Sequence, residues 1–248
     1  MANQTVFRLC VLTVAAAVGV IATGPFGGKP HLVASGLLAI LLLAVAAMMR
    51  HRVAYFSVLL FLVSGGTGRL VKSNPAVAAM HEVIGPVLLS MACFLAVMAW
   101  TGTDTEVEDS GRPPLRSLAR WAPPVILMQV FLGALYRHAF TGISLHVFGA
   151  MLAGALIMFA GISVMILPGI GKALQRVSWA LLGVTFLQFF FGIYAYLNRI
   201  AAEEAGTVAG VSHIAVSHIV TGGLTMGLSV VLALLVNRYV RPAEAVAA

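Results

Sequence analysis

Charged residues are scarce in this sequence of 248 residues. Only 9% of the residues are Asp, Glu, Lys or Arg, whereas 60% are hydrophobic. A soluble globular domain carries about 25% charged residues, so this composition excludes one. Cysteine is also scarce. Cys10 and Cys93 both lie in apolar runs, which is typical of small buried side chains and predicts neither a disulfide nor a metal motif.

Acidic residues are nearly absent from the apolar runs, where Glu82 is the only one. This argues against a proton-relay transporter and against a di-iron carboxylate site. Zinc sites need three or four ligands including Cys or carboxylate, and no Gly-rich phosphate loop follows a strand. The net charge is +7, but Lys and Arg occur singly or in pairs at the ends of apolar runs. That pattern sets membrane topology and does not indicate nucleic-acid binding.

Apolar runs that can cross a bilayer core of about 30 Å recur along the chain. Because the backbone must satisfy its own hydrogen bonds in lipid, these runs predict helices. The first run reads as a helix, since Val20-Ile21-Ala22 is a poor signal-peptide cleavage site. We predict an all-α integral membrane protein with eight transmembrane helices, over residues 7–24, 31–49, 53–69, 78–100, 118–137, 144–167, 175–197 and 213–236.

The basic residues predict the orientation. Ten Lys and Arg fall on the side of the N-terminus and five on the other side, which places both termini in the cytoplasm. The longest loop, 101–117, is polar and has a Pro pair. It predicts an N-terminal four-helix bundle (1–100), a cytoplasmic linker (101–117) and a C-terminal four-helix bundle (118–248).

Two motifs support a parallel repeat of four helices. The segment 65–69 matches 133–137 as G-x-x-x-R, and the segment 129–133 matches 188–192 as Q-x-x-x-G. Close helix packing, which needs small residues in membranes, also explains these glycines.

Four of the seven histidines lie near the start of an even-numbered helix, namely His31, His81, His146 and His218. Each precedes a run of about 18 to 21 residues, which puts all four at one depth, about 27–32 Å from the inner face. Ionisable side chains inside membranes are usually functional, and imidazole ligates heme iron. The alternative is that these residues simply lie at the interface.

Two imidazoles at one depth on facing helices can hold one heme. We therefore pair His31 with His81 and His146 with His218. His213 competes with His218, but five residues separate them on a helix, so one iron cannot bind both. His51 lies between Arg50 and Arg52 and is read as a topological residue.

Cations beside these histidines are candidates for binding heme propionates. They are Arg69, Arg137 and His138, and Arg199 is a further one. Snorkelling of these side chains to water is the alternative interpretation.

The segment MQVFLGALYRHAFTG, followed by a histidine that opens the next helix, resembles the heme A synthase family of cytochrome oxidase assembly proteins. The family motif Q-x-x-L-G-A-x-x-R-H is matched by Gln129, Leu132, Gly133, Ala134, Arg137 and His138. The later LQFFFG and the histidine of helix eight match too. The resemblance implies eight helices in two similar bundles, with a heme b in the second bundle. It implies oxidation of the methyl group of heme O to the formyl group of heme A in the first bundle.

The chain departs from this family in its first half. Family members carry a Glu one turn before the histidine of helix two, where this chain has Gly28, and many have a Cys pair in the first outer loop, where this chain has GPFGGKP. Two functions stay open: a heme A synthase-like oxidoreductase, or a non-catalytic diheme b-type subunit for electron transfer or assembly of a respiratory complex. A respiratory cytochrome b would need two histidines about four turns apart on one helix, and no helix has them.

The expected location is a prokaryotic inner or plasma membrane, with one or two hemes b near the outer face. Heme O or heme A is expected as substrate or product. Besides the lipid bilayer, the expected partner is a respiratory oxidase, another membrane complex or a second copy of the chain.

Overall fold

The computed structural model describes residues 2–109, 111–207 and 212–242. Almost all of this part of the chain is helical. The helices are α1 (Ala2–Thr23), α2 (Gly28–Met49), α3 (Arg52–Thr67), α4 (Pro75–Ala99), α5 (Leu115–Arg137), α6 (Ile143–Ile166), α7 (Lys172–Glu204) and α8 (His213–Tyr239). A 3-10 turn, Gly24–Phe26, joins α1 to α2, and two short strands, β1 (Val107–Asp109) and β2 (Val240–Pro242), complete the fold.

Seven of these helices are long and apolar enough to cross a membrane, which confirms the prediction of a predominantly helical, multi-pass membrane protein. The remaining helix, α3, has 16 residues and rises about 24 Å. Large apolar side chains cover the outside of the bundle. Phe148 on α6 is 70% exposed and Phe186 on α7 is 63% exposed. Lipid is the solvent that suits such a surface.

Helices α4 and α8 form the centre of the bundle and pack along each other. Around them the two sets of four helices make equivalent contacts. In the first set α1 packs on α2 and α4, and in the second set α5 packs in the same way on α6 and α8. Between the sets, the contact of α4 with α5 corresponds to the contact of α8 with α1. Buried leucines fill both sets, among them Leu38 and Leu89 in the first and Leu181 and Leu232 in the second.

The polar linker is more ordered than its sequence predicts. Its strand β1 pairs in parallel with β2, which follows α8, and α5 already begins at Leu115. The buried Asp109 carboxylate accepts from the backbone N–H of Arg116, and Asp104 accepts from the N–H of Ala173 in the first turn of α7. Free N–H groups of these two helix starts therefore find acceptors in the linker.

We call the end of the bundle with the linker the linker end, and the opposite end the site end. At the site end α7 continues to Glu204, beyond the predicted boundary at 197. An ion pair one helical turn apart, between Arg199 and Glu203, occurs in this extension. The termini predicted to be cytoplasmic, residue 1 and residues 243–248, lie outside the described residues.

Candidate functional site

The imidazole rings of His146 and His218 face each other at the site end of the second set of helices. Their centroids are 6.1 Å apart and the rings are nearly perpendicular, at 85°. His146 is in the first turn of α6, His218 is near the start of α8, and both side chains are half-buried. The structure therefore brings together two of the four predicted histidines as one pair.

Each of the four histidines has its Nδ1 atom beside a polar group of the segment that precedes its own helix. In the first set, Thr23 Oγ1 lies 3.4 Å from His31 Nδ1, and Ser64 Oγ lies 3.3 Å from His81 Nδ1. In the second set the partners are an amide and a carbonyl. Gln129 Nε2 lies 3.0 Å from His146 Nδ1, and the carbonyl oxygen of Gln188 lies 3.0 Å from His218 Nδ1. In the described part of the chain, none of these histidines uses Nε2 in a hydrogen bond.

The partner of Nδ1 determines which nitrogen of His218 can bind a metal. A carbonyl oxygen only accepts, so His218 must carry its proton on Nδ1, and Nε2 keeps a free lone pair. The amide nitrogen of Gln129 also donates to the backbone carbonyl oxygen of His146, at 2.9 Å. For His146 the same tautomer requires this amide to turn, give up that bond and present Oε1 to the Nδ1–H group. That oxygen is buried and has no hydrogen-bond partner among the described residues.

Glycines leave the space that these two rings occupy. A Cβ atom on Gly133 of α5 would lie 2.9 Å from Cε1 of His146, and one on Gly192 of α7 would lie 2.8 Å from Cε1 of His218. Such distances are too short for carbon atoms in contact. The Q-x-x-x-G motif therefore has a local explanation, since in both copies its Gln and its Gly contact the same histidine.

The first pair is more loosely surrounded. Among the described residues, the rings of His31 and His81 make no contact like that of His146 with His218. The glycines nearest to them leave more room, because a Cβ on Gly24 would lie 3.8 Å from His31 and one on Gly68 would lie 3.7 Å from His81. The predicted pairing of His31 with His81 stays a prediction.

Tyr136 and Arg199 extend the second pair toward the site end. The Tyr136 ring is nearly parallel to that of His146, with centroids 6.3 Å apart. The Arg199 guanidinium lies 4.8 Å from the Tyr136 centroid, in the geometry of a cation–π contact. The cationic Arg199 is therefore in contact with the aromatic ring that stacks on His146.

Arg137 and His138 both contact Glu82, the one acidic residue of the predicted spans. Arg137 Nη1 lies 3.2 Å from Oε1 of Glu82, and His138 Nε2 lies 3.1 Å from Oε2. This cluster ties the end of α5 to α4, beside His81. The exposed Arg69, also predicted to bind a propionate, follows α3 directly.

The remaining two histidines have other surroundings. His213 is exposed and packs against Phe26, with ring centroids 5.4 Å apart. His51 caps α3, because its Nδ1 accepts from the N–H of Val53 at 3.2 Å. Neither residue is in a ring contact with His146 or His218 in the structure as described.

The residues of the second pair fit a heme better than a bare metal ion. Among the described residues, no three His, Cys, Asp or Glu side chains form a cluster that could hold a metal ion. A porphyrin brings four nitrogens of its own, so heme iron needs only one or two protein ligands. Two metal–nitrogen bonds of about 2 Å, plus the two ring radii, would put the imidazole centroids about 6 Å apart. The observed 6.1 Å agrees with this geometry.

Comparison with known proteins adds no family to this picture. No protein-family model matches the chain, and no curated protein matches it.

Sequence reasoning missed the residues that hold the histidines. In the sequence, Gln129 and Gln188 indicate a repeat and Gln129 also belongs to the family motif, but neither predicts a contact with a histidine. Ser64, Thr23, Tyr136 and Glu82 have no predicted role in the site. The signal that was available is the spacing, since each Gln precedes by four residues the Gly that faces the same histidine.

Proposed function

We propose that this chain is a heme-binding membrane protein of the heme A synthase type. In this proposal eight helices span a prokaryotic inner or plasma membrane as two four-helix bundles, with both termini in the cytoplasm and the histidines near the outer face. His146 and His218 would hold the iron of a heme b. His31 and His81 bind a second heme, which is heme O when the chain acts as an enzyme.

The observation that carries the proposal is the opposed pair of His146 and His218. The centroids of the two rings are 6.1 Å apart, a distance that suits two imidazoles on one iron. The Nδ1–H of His218 is fixed by a backbone carbonyl, which is the outer-sphere arrangement common to metal-ligating histidines. The glycines opposite both rings make room for the rings themselves.

The equivalent contacts of the two sets of helices support a repeat. Each even helix carries a histidine near its start, and the preceding odd helix or its end supplies both a polar group for Nδ1 and a glycine beside the ring. A repeat of this kind favours two related heme sites over a single one.

The differences between the two sites support different roles. Amide and carbonyl partners at 3.0 Å hold the second pair, and its glycines approach closely. Hydroxyl partners at 3.3 and 3.4 Å hold the first pair, with more room around the rings. We assign the resident heme b to the second bundle and the exchangeable heme, the substrate, to the first.

In the catalytic version the first bundle would hold heme O. Conversion of its methyl group to the formyl group of heme A takes one oxygen atom from water, releases four protons and four electrons, and requires an external electron acceptor. The heme b, when bound, supplies one-electron transfer. The residues of the chain would bind and orient the two groups: the histidines would hold the irons, and Arg199, which contacts the Tyr136 ring, would pair with a propionate.

The second candidate is a non-catalytic diheme subunit for electron transfer or for assembly of a respiratory complex. Gly28, at a left-handed φ of 67°, stands where the resembled family has its Glu. The nearby carboxylate of Glu82 is already engaged by Arg137 and His138. The first site therefore lacks a free carboxylate among the groups described.

The deciding experiment is the absorption spectrum and extracted heme of the purified protein, oxidised and reduced. Low-spin heme b at one or two per chain is expected. Co-expression with a producer of heme O then separates the two candidates, since accumulation of heme A only with the intact chain identifies the enzyme. Absence of any heme after expression with adequate heme supply would overturn both.

A further inference from the structure

The face of α7 that packs on α8 contains two buried hydroxyl groups. The buried residues of α7 are Leu174, Ser178, Leu181 and Thr185, spaced so that they lie on one side of the helix. Gln188 and Gly192, which contact residues of α8, continue the same side one turn at a time. Most other residues of α7 are exposed or half-buried. Two of its four buried residues, Ser178 and Thr185, are polar.

Ser178 Oγ and Thr185 Oγ1 have no hydrogen-bond partner in the described structure. Ser178 is fully buried and Thr185 is 7% exposed. Buried hydroxyl groups without a partner are rare in native proteins, because desolvation is then uncompensated. Inside a membrane protein the usual partner of such a group is a neighbouring helix or an ordered water.

The opposite side of this interface offers acceptors. Thr221, Thr225 and Ser229 follow each other at four-residue spacing on α8. Thr225 donates to the carbonyl of Thr221 at 2.9 Å, and Ser229 donates to the carbonyl of Met226 at 2.7 Å. The hydroxyl hydrogens of Thr225 and Ser229 are thus used within α8, while their oxygen lone pairs can still accept.

The polar groups of this interface lead to His218. Thr221 Oγ1 bonds Oε1 of Gln188, and the backbone carbonyl of the same Gln188 accepts from His218 Nδ1. Thr185 is three residues from Gln188, a rise of about 4.5 Å along α7. Ser178 lies beyond the buried Leu181 and is separated from this group.

We propose that Thr185 binds an internal water molecule between α7 and α8. The water accepts from or donates to Thr185 Oγ1 and extends the hydrogen bonds of Gln188 and Thr221, which hold His218. Thr185 is then a positioning residue for His218. The positioning role of Thr185 rests on the proposed heme site, whereas the water site itself needs no heme.

The test starts with Thr185→Val, which replaces the hydroxyl by a methyl group of similar size. If water is bound, the variant without heme loses it and its Tm in detergent falls by about 2–4 °C. If the hydroxyl has no partner, Val removes only an uncompensated polar group, and the Tm stays equal or rises. The matched control is Thr13→Val, since Thr13 is also buried but donates within α1 to the carbonyl of Leu9.

A second measurement uses the unchanged protein and does not depend on folding of the variant. Hydroxyl-radical footprinting labels side chains next to internal water. We expect labelling of buried residues around Thr185, such as Leu181, in the intact chain. Lack of labelling there overturns the water site whatever the Tm of the variant.

Spectra of the heme-loaded protein test the positioning role. Thr185→Val is expected to shift the midpoint potential of the heme, while Thr13→Val leaves it unchanged. If a chain that takes up no heme is still labelled around Thr185, the water site is supported and the proposed heme function is rejected. Failure of the water site and failure of the heme function can therefore be told apart.

Discussion

The ring centroids of His146 and His218 are 6.1 Å apart in the structure, although the two residues are 72 positions apart in the sequence. Two half-buried imidazoles in a membrane bundle have few polar alternatives, and in the described chain their Nε2 atoms have no hydrogen-bond partner. A shared ligand between them would satisfy both. The predictions below test whether that ligand is heme iron and which residues hold it.

Removing either histidine of this pair should remove the heme. We expect His146→Ala and His218→Ala each to reduce bound heme at least tenfold, by the pyridine hemochrome assay on purified protein. His213→Ala is the control, because His213 contacts Phe26 and lies outside the pair. Equal loss in the control would show that heme binding depends on general folding or on another ligand set.

The glycines opposite the rings give a steric test. Gly133→Ala and Gly192→Ala place a methyl group within 3 Å of an imidazole carbon, so one ligand should be displaced. The expected result is a change from a low-spin to a high-spin heme spectrum. Gly183→Ala is the control, since no atom lies within 4 Å of its Cβ position, and Ala favours the helix. Low-spin spectra in all three variants would contradict the placement of the rings.

The Gln129 amide should matter through His146. Gln129→Leu removes the polar partner of Nδ1, and such outer-sphere changes typically lower metal affinity by about 10–100-fold. Heme titration of the apoprotein measures this affinity. The control is Gln175→Leu, because Gln175 lies at the linker end and bonds the carbonyl of Ile170. Unchanged affinity in Gln129→Leu would mean that His146 is not a ligand or is held by its helix alone.

The helical part of this fold could be predicted from sequence because each long apolar run has only one way to satisfy its backbone in lipid. The strands β1 and β2 could not, since three-residue strands 133 positions apart have no periodic signal. The position of each histidine near the start of its helix follows from counting residues. The hydrogen-bond partners of the histidines depend on how each helix is rotated about its own axis. An apolar run that faces lipid on several sides does not determine that rotation. The contacts of Gln129 and Glu82 could therefore not be predicted.

Glu82 should connect the two sets of helices. Its carboxylate binds both Arg137 and His138, and its side chain is 23% exposed. Glu82→Gln weakens both contacts, and we expect about 1 kcal/mol of lost stability, seen as a fall in Tm of about 2–4 °C.

Glu203→Gln is the matched control for this change. Glu203 also pairs with an arginine, but within α7 and with a side chain that is 62% exposed, so its loss should be worth about 0.3–0.5 kcal/mol. A double-mutant cycle of Glu82→Gln with Arg137→Gln should give a coupling energy that falls with added salt only slightly, because the pair is partly shielded from solvent. Additive effects would mean that α4 and α5 are joined by apolar packing alone, and that Arg137 is free to bind a propionate.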